Sequence, residues 1–309
     1  MNRYKINKFL YSILFIIFVG ALIVFYREDI IKYVNNIFKE VNEVEHLDNE
    51  DVKVYFLDVG QADSILISSN NKYVLIDAGN NLDGNNLVEY LKELGVTKID
   101  YLIGTHAHED HIGGLDNVIR SFDIDKFYMP KTVVATASYE QVINALKDKN
   151  ITYNTPKIGT IFNLGEVKFE VLSIRSNEED INNDSIVIKM TYKDISFLFT
   201  GDIGEDVEKE LFNKDIEADI LKVAHHGSVY SSSMKFLKKV NAKYAVISCG
   251  LNNEYYYPHE KVLNRLKELN TNIYRTDELG TIIISTDGKD ISINNIKTNI
   301  NVEDKKWKE

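Results

Sequence analysis

From position 52 onward, short apolar runs alternate with amphipathic stretches, the rhythm of strands alternating with helices. Residues 53–58, 64–68 and 73–77 read as consecutive strands, broken at Gly60 and at Ser69-Asn70-Asn71. Residues 85–94 read as a helix, with Leu87, Leu91 and Leu94 on one face and Gly95 as its stop. A strand over 100–105 runs directly into a histidine-rich segment, and helices follow over 114–121 and 139–149. Strands are expected at 167–174, 185–192 and 195–200, then a helix at 205–212 and a strand at 219–224. A helix over 234–240, a strand over 244–249 and a helix over 259–269 precede three closing strands near 273–276, 280–286 and 290–297. No repeat or Pro/Gly-rich linker divides this body, so 52–298 reads as one α/β (α+β) domain of two mixed β/α halves with layered sheets. Residues 299–309 form a polar tail.

The N-terminus has a different character. The run from Phe9 to Tyr26 is 18 residues without a charge, just long enough for a helix to span a bilayer. Arg3, Lys5 and Lys8 precede it, which by the positive-inside rule keeps the N-terminus cytoplasmic and puts the C-terminal domain outside. A cleaved signal peptide competes, with Val19 and Ala21 as the small-residue site. That cut would leave the apolar stub 22–26, so an uncleaved anchor over 1–29 is the preferred reading. Residues 30–51 form a stalk and linker, with Ile30, Ile31, Val34, Ile37, Phe38 and Val41 at helical spacing and an acidic end holding a solvated His46. The expectation is a single-pass protein of the cell membrane with an extracellular domain.

Charge narrows the partners. The net charge is −11, and five basic against two acidic residues in the first 32 put the remainder near −14. A body that acidic repels polyanions at long range and counts against tight nonspecific nucleic-acid binding, though a local site is not excluded. The single cysteine, Cys249, rules out an internal disulfide and reads as a small buried thiol.

The chemistry is concentrated in Thr105-His106-Ala-His108-Glu-Asp110-His111, which precedes Gly113-Gly114. Three imidazoles and a carboxylate are too polar for a core and too dense for an ordinary surface loop, and they suit divalent metal. His106 and His108 can point at one ion while Asp110 and His111 turn toward a second, at the separation of about 3.5–4 Å usual for paired sites. Of seven histidines, five lie at two strand ends, the other two of these being His225 and His226. Adjacent residues leaving a strand point in different directions, so one of that pair is expected to be a ligand and the other to contact substrate or the surrounding shell. The sequence leaves open which. Asp202, where an apolar strand breaks at Gly201, can supply an anion between the ions, although helix capping is its rival role. Asp77, before Ala78-Gly79, is placed to orient a ligand histidine through its second ring nitrogen. Two divalent ions, with Zn²⁺ the best fit to His and Asp donors and Mn²⁺ or Fe²⁺ open, would supply hydroxide at neutral pH. No nucleophile elbow or Walker loop competes.

These residues resemble the metallo-β-lactamase superfamily, and more closely the hydrolase domains of ComEC-type competence proteins. The resemblance rests on Phe56-Leu-Asp-Val-Gly-Gln61-Ala-Asp63-Ser-Ile-Leu-Ile67, Asn182-Asn-Asp-Ser185-Ile-Val, Leu198-Phe-Thr-Gly-Asp202-Ile, Leu221-Lys-Val-Ala-His225-His226-Gly-Ser228 and Arg275-Thr-Asp277-Glu-Leu-Gly-Thr281-Ile. It implies an αββα sandwich with metals in the cleft between its sheets, ligands His106, His108, Asp110, His111, Asp202, His225 and His226, catalytic roles for Asp110, His225 and His226, and Asp77, Asp184 and Ser185 around them. It further implies a phosphodiesterase or nuclease linked to DNA uptake. Hydrolysis of a cell-wall phosphodiester or a lactone, and a non-catalytic surface binding protein, are the alternatives. Three departures stand out: Asn182, Asn183 and Asp184 where the superfamily often has a further histidine, Tyr257-Pro258 followed by His259 where the group tends to place a histidine before the proline, and Ala62 for a usual glycine. The many-helix channel of ComEC-type proteins is not in this chain.

Overall fold

The computed structural model describes residues 52–177, 179–298 and 300. The expected anchor and stalk, and the polar tail apart from Ile300, therefore lie outside the described residues; Ile300 itself is buried and accepts from Asn86 Nδ2 at 3.1 Å. Among the described residues, no helix is long and apolar enough to cross a membrane.

Two sheets account for the strand pattern. The first is built, in spatial order, from β15 (Ile291–Ile296), β14 (Thr281–Thr286), β1 (Val52–Phe56), β2 (Ile65–Ser69), β3 (Lys72–Ile76), β4 (Lys98–Ile103), β5 (Asp123–Tyr128) and β6 (Tyr153–Asn154). The second runs β13 (Asn272–Arg275), β12 (Tyr244–Ile247), β11 (Ile220–Lys222), β10 (Ile195–Phe199), β9 (Val187–Tyr192), β8 (Val167–Ser173) and β7 (Ile161–Leu164). Alternation within each strand explains why the sheets stack. Val52, Val54 and Phe56 of β1, with Ile65, Ile67, Val74 and Ile76, share one buried cluster with Phe169, Val171, Ile188, Met190, Phe197 and Phe199 of the second sheet. The Phe56 and Phe199 rings meet across the layers at 6.3 Å.

The opposite phase of the second sheet, Leu198, Leu221, Ala245 and Ile247, packs with Val207, Leu211, Phe236, Leu237, Val262 and Leu266. Those come from helices Glu205–Leu211, Met234–Val240 and Glu260–Glu268. In the first half, helices Gly84–Glu93, Leu115–Ser121 and Ala137–Lys149 carry their own buried stripes, among them Leu87, Leu91, Val118, Ile119 and Val142. The inner strands of both sheets are thus buried on both faces, which is why they read as largely apolar runs.

Three strands go beyond the sequence expectation. In β5 only Phe127 is buried, so the strand carries almost no apolar signal and is held by its parallel pairing to β4 and β6. The short edge strand β7 buries Phe162 and Leu164 only, and β6 is two residues long.

Truncating a ring at the junction of the sheets leaves a void that fixed backbones on both sides cannot close. Phe199→Ala is expected to destabilise the protein by about 3–5 kcal/mol, and chemical denaturation that finds less than about 1 kcal/mol would contradict this packing.

Candidate metal centre

Strand direction brings the candidate ligands to one edge. β3 and β4 run parallel, as do β10, β11 and β12, so the residues that follow each of them emerge together. Asp77 follows β3 and the histidine-rich segment follows β4; Asp202, His225-His226 and Ser248 follow β10, β11 and β12. Backbone bonds then lock these loops. The Asp63 N–H donates to Asp110 O at 3.0 Å, Ala78 N–H to His111 O at 2.8 Å, Ile186 N–H to Thr105 O at 3.0 Å and His225 N–H to Gly201 O at 3.2 Å. Gly114 permits the closest of these approaches, since a Cβ there would stand 2.3 Å from the Ala78 carbonyl oxygen. His225 and His226 both adopt left-handed backbone (φ 51° and 52°), a conformation that costs non-glycine residues energy and persists only where the surroundings hold it.

Hydrogen bonds fix which nitrogen each imidazole offers. Asp77 accepts from the Thr105 N–H and hydroxyl, each at 2.7 Å, and from His111 Nδ1 at 2.8 Å. His111 Nε2 is thereby aimed into the cleft, 3.3 Å from Asp202 Oδ2 and 3.7 Å from Asp110 Oδ2. His226 Nδ1 donates to the Ser248 carbonyl at 2.8 Å, which leaves its Nε2 3.2 Å from Asp110 and 3.5 Å from Asp202. Donor atoms of Asp110, His111, Asp202 and His226 all lie within 4.8 Å of one another. His111 Nε2 and Asp202 Oδ1 are buried with no hydrogen-bond partner, although buried polar atoms are nearly always paired. A divalent cation satisfies both at once, so the donor set fits a metal.

The remaining sequence-selected residues fall around this cluster. His106 Nε2 and His108 Nδ1 converge to 3.1 Å, and the fully buried His106 places Nδ1 3.3 Å from the Ser185 hydroxyl. Ser185 also accepts the Asp202 N–H at 3.0 Å, linking the two groups. His225 stands further out: its Nε2 is 3.9 Å from Asp202 and 3.4 Å from the Tyr257 hydroxyl. Asp184 bonds to the Thr132 hydroxyl and the Asn177 N–H, so it anchors the turn that carries Ser185 and touches the ligands through that backbone. His259 accepts the Val229 N–H at 3.0 Å. A cleft of about 300 Å³ collects His108, Asp110, Asp202, His225 and His226 with Gln61, Glu109, Asn182, Tyr255 and Tyr257.

Sequence reasoning did not single out Asp63, Lys222 or Tyr257. Asp63, Asp77 and His111 form a second group with cation-holding spacing. There the cation is already present: Lys222 Nζ lies 2.8 Å from Asp63 Oδ2, with side chains only 1% and 3% exposed. The available signal was a lone lysine inside the apolar run 219–224. Tyr257, noted only as a departure from the family pattern, sits against both His225 and His226, at ring-centroid distances of 5.5 and 6.2 Å.

Electrostatics divide the histidines. Burial, with His111 beside it, pushes His106 well below the ordinary imidazole value, and burial also lowers His225. Burial opposes charge on His111 too, but Asp202, Asp110 and Asp77 override it and carry that ring well above the ordinary value. His226 is raised against the same burial by Asp202, Asp63 and Asp110. Asp202 in turn is held well below the carboxylate range by His111 and His226 despite its burial.

Two stacked sheets flanked by helices, with Asp and His donors gathered at the strand ends, define a mixed α/β protein with a candidate metal centre. The chain belongs to the metallo-β-lactamase superfamily, whose family model matches residues 57–251. Its relatives include a competence protein. ComE operon protein 3 of Bacillus subtilis is 32% identical over 251 residues, covering 74% of this chain and 32% of that protein. Competence protein ComA of Neisseria gonorrhoeae is 29% identical over 247 residues, covering 77% of this chain and 33% of that protein. The chain thus spans about a third of the length of the curated relatives it matches. Among solved structures, the metallo-β-lactamase fold protein YhfI from Bacillus subtilis aligns with a TM-score of 0.53 at 13% identity, covering 77% of this chain and all of that one.

An incoming cation competes with protons for the Nε2 atoms of His111 and His226. Because both rings are raised, affinity is expected to fall as pH drops, with protons released as the site fills. Titration calorimetry in buffers of differing ionisation enthalpy measures this, and a heat independent of buffer would contradict the assigned protonation.

Proposed function

We propose that the protein is a membrane-anchored, extracytoplasmic phosphodiesterase that attacks its substrate with water and acts on DNA at the cell surface. The observation that carries the reading is the make-up of the cleft. Its described lining holds metal-type donors and no serine, threonine or cysteine nucleophile, which supports an attacking oxygen drawn from solvent. The resemblance to ComEC-type hydrolase domains supports nucleic acid as substrate, and the charge-free run 9–26 supports the anchor.

In this reading two divalent ions, zinc being the best match to imidazole and carboxylate donors, would be held by His106, His108, Asp110, His111 and His226, with Asp202 as a further anionic ligand. Ions in such a site lower the pKa of water to about 7 and draw charge from a phosphoryl oxygen. The chain's own residues do the rest. Asp77 and the Ser248 carbonyl hold His111 and His226 in the orientation that presents Nε2. Lys222 neutralises Asp63 behind them, which keeps the carboxylate charge facing the cleft from accumulating. His225, partly exposed and hydrogen-bonded to Tyr257, is the group that meets the substrate, and the proton shared by that pair is placed for the departing oxygen.

A second reading draws on the cleft's size. About 300 Å³ is at the small end for a ligand site, which favours a compact phosphodiester or a lactone over a long polymer.

With Zn²⁺ or Mn²⁺ added, the protein is expected to hydrolyse bis-p-nitrophenyl phosphate and single-stranded DNA. Asp110→Ala should abolish both activities and reduce bound metal, whereas His225→Ala should cut kcat by roughly 10²-fold with metal content retained. A loaded protein that opens lactones but leaves every phosphodiester intact would replace the first reading with the second.

A further inference from the structure

Three aromatic rings form a ladder leading out of the cleft. Tyr257 lies nearly parallel to His226, with centroids 6.2 Å apart and planes at 22°. Tyr255 continues the stack on Tyr257 at 5.4 Å and 18°. Tyr255 is 54% exposed and Tyr256, beside it, 84%. Large aromatic faces turned to water next to a reactive cleft call for a ligand.

The loop that displays them is braced. Asn253 donates through Nδ2 to the carbonyls of Gly250 (2.8 Å) and Tyr257 (2.6 Å) and accepts the Tyr257 N–H at 2.9 Å. Gly250 N–H donates to Gln61 Oε1 at 3.1 Å, which ties the loop to the first half of the domain. A ring stack held this way loses little freedom when a planar group joins it.

We propose that Tyr255, backed by Tyr257, is a stacking platform for the nucleobase adjoining the scissile phosphodiester. The inference rests on the phosphodiesterase reading and specifies its substrate: a nucleotide recognised by its base. Two features of the cleft point this way. First, no Lys or Arg is among its described lining residues, while Glu109, Asp110 and Asp202 are, so contacts to flanking phosphates cannot supply the affinity. Second, the rings are parallel and the outermost, Tyr255, is more than half exposed. A planar base extends such a stack, whereas a quaternary ammonium group is held by rings converging on a point. Tyr255 is therefore a binding residue and Tyr257 its positioning residue.

The test uses the full chain, loaded with Mn²⁺, on a short single-stranded oligonucleotide and on the same oligonucleotide with an abasic residue beside the cleaved linkage. Tyr255→Leu is expected to raise KM about tenfold on the base-bearing substrate, with the loss in KM rather than kcat, and the difference should vanish on the abasic one. Tyr255→Phe and Tyr255→Trp should restore the original KM. The salt dependence of KM should be shallow, near the slope of about 0.7 per decade that one phosphate contact gives. Equal KM values for Tyr255→Leu and the unaltered protein, or a steep salt slope, would overturn the platform, as would a choline phosphodiester whose turnover depends on Tyr255 more than the oligonucleotide's. If no phosphodiester is cleaved at all, the phosphodiesterase reading fails separately. Quenching of 2-aminopurine deoxynucleoside monophosphate then decides the platform: lost in Tyr255→Leu, it stands; unchanged, it falls.

Discussion

The structure is organised around a concentration of buried charge. Asp63, Asp77, Asp202, His106, His111, Lys222 and His226 are each at most 2% exposed and gather at one junction. Removing an isolated ion from water costs several kcal/mol even after relaxation, so such a group survives only when each member is compensated. The compensation is visible pair by pair: Thr105 and His111 on Asp77, Lys222 on Asp63, the Ser248 carbonyl on His226. Among the atoms left without a hydrogen-bond partner, which include Asp63 Oδ1, the pair His111 Nε2 and Asp202 Oδ1 marks where a cation belongs. The apolar sandwich is the frame that holds these groups in register.

Much of the frame was legible in the sequence because burial on both faces makes a strand an unbroken apolar run. β3, β10 and β14 announce themselves this way, through 73–76, 197–199 and 282–284. β5 does not, since Asp123, Asp125 and Lys126 stay in water and the strand exists through pairing rather than through its own side chains. The ligand-type residues were legible for a similar reason: imidazoles and carboxylates crowded where apolar runs stop serve chemistry rather than packing.

What lay beyond the sequence required knowing which loops meet. Nothing local couples Asp63 to Lys222, which are brought to 2.8 Å only when the two sheets stack. Nor does the pair His225-His226 reveal its division of labour. That is set by the Ser248 carbonyl, which claims His226 Nδ1, and by Tyr257, which stands beside His225. The left-handed backbone at both positions defeats the simple alternation expected of residues leaving a strand.

Ligand-type residues emerge where β3, β4, β10 and β11 finish, and the turns at their other ends are correspondingly idle. The Asn70-Asn71 turn that starts β3 and the Lys193-Asp194 turn that starts β10 carry none of the cleft's side chains. Additional chain can be spliced in at that far rim without moving an imidazole. A domain built this way keeps its reactive face and its variable rim at opposite ends of the strands.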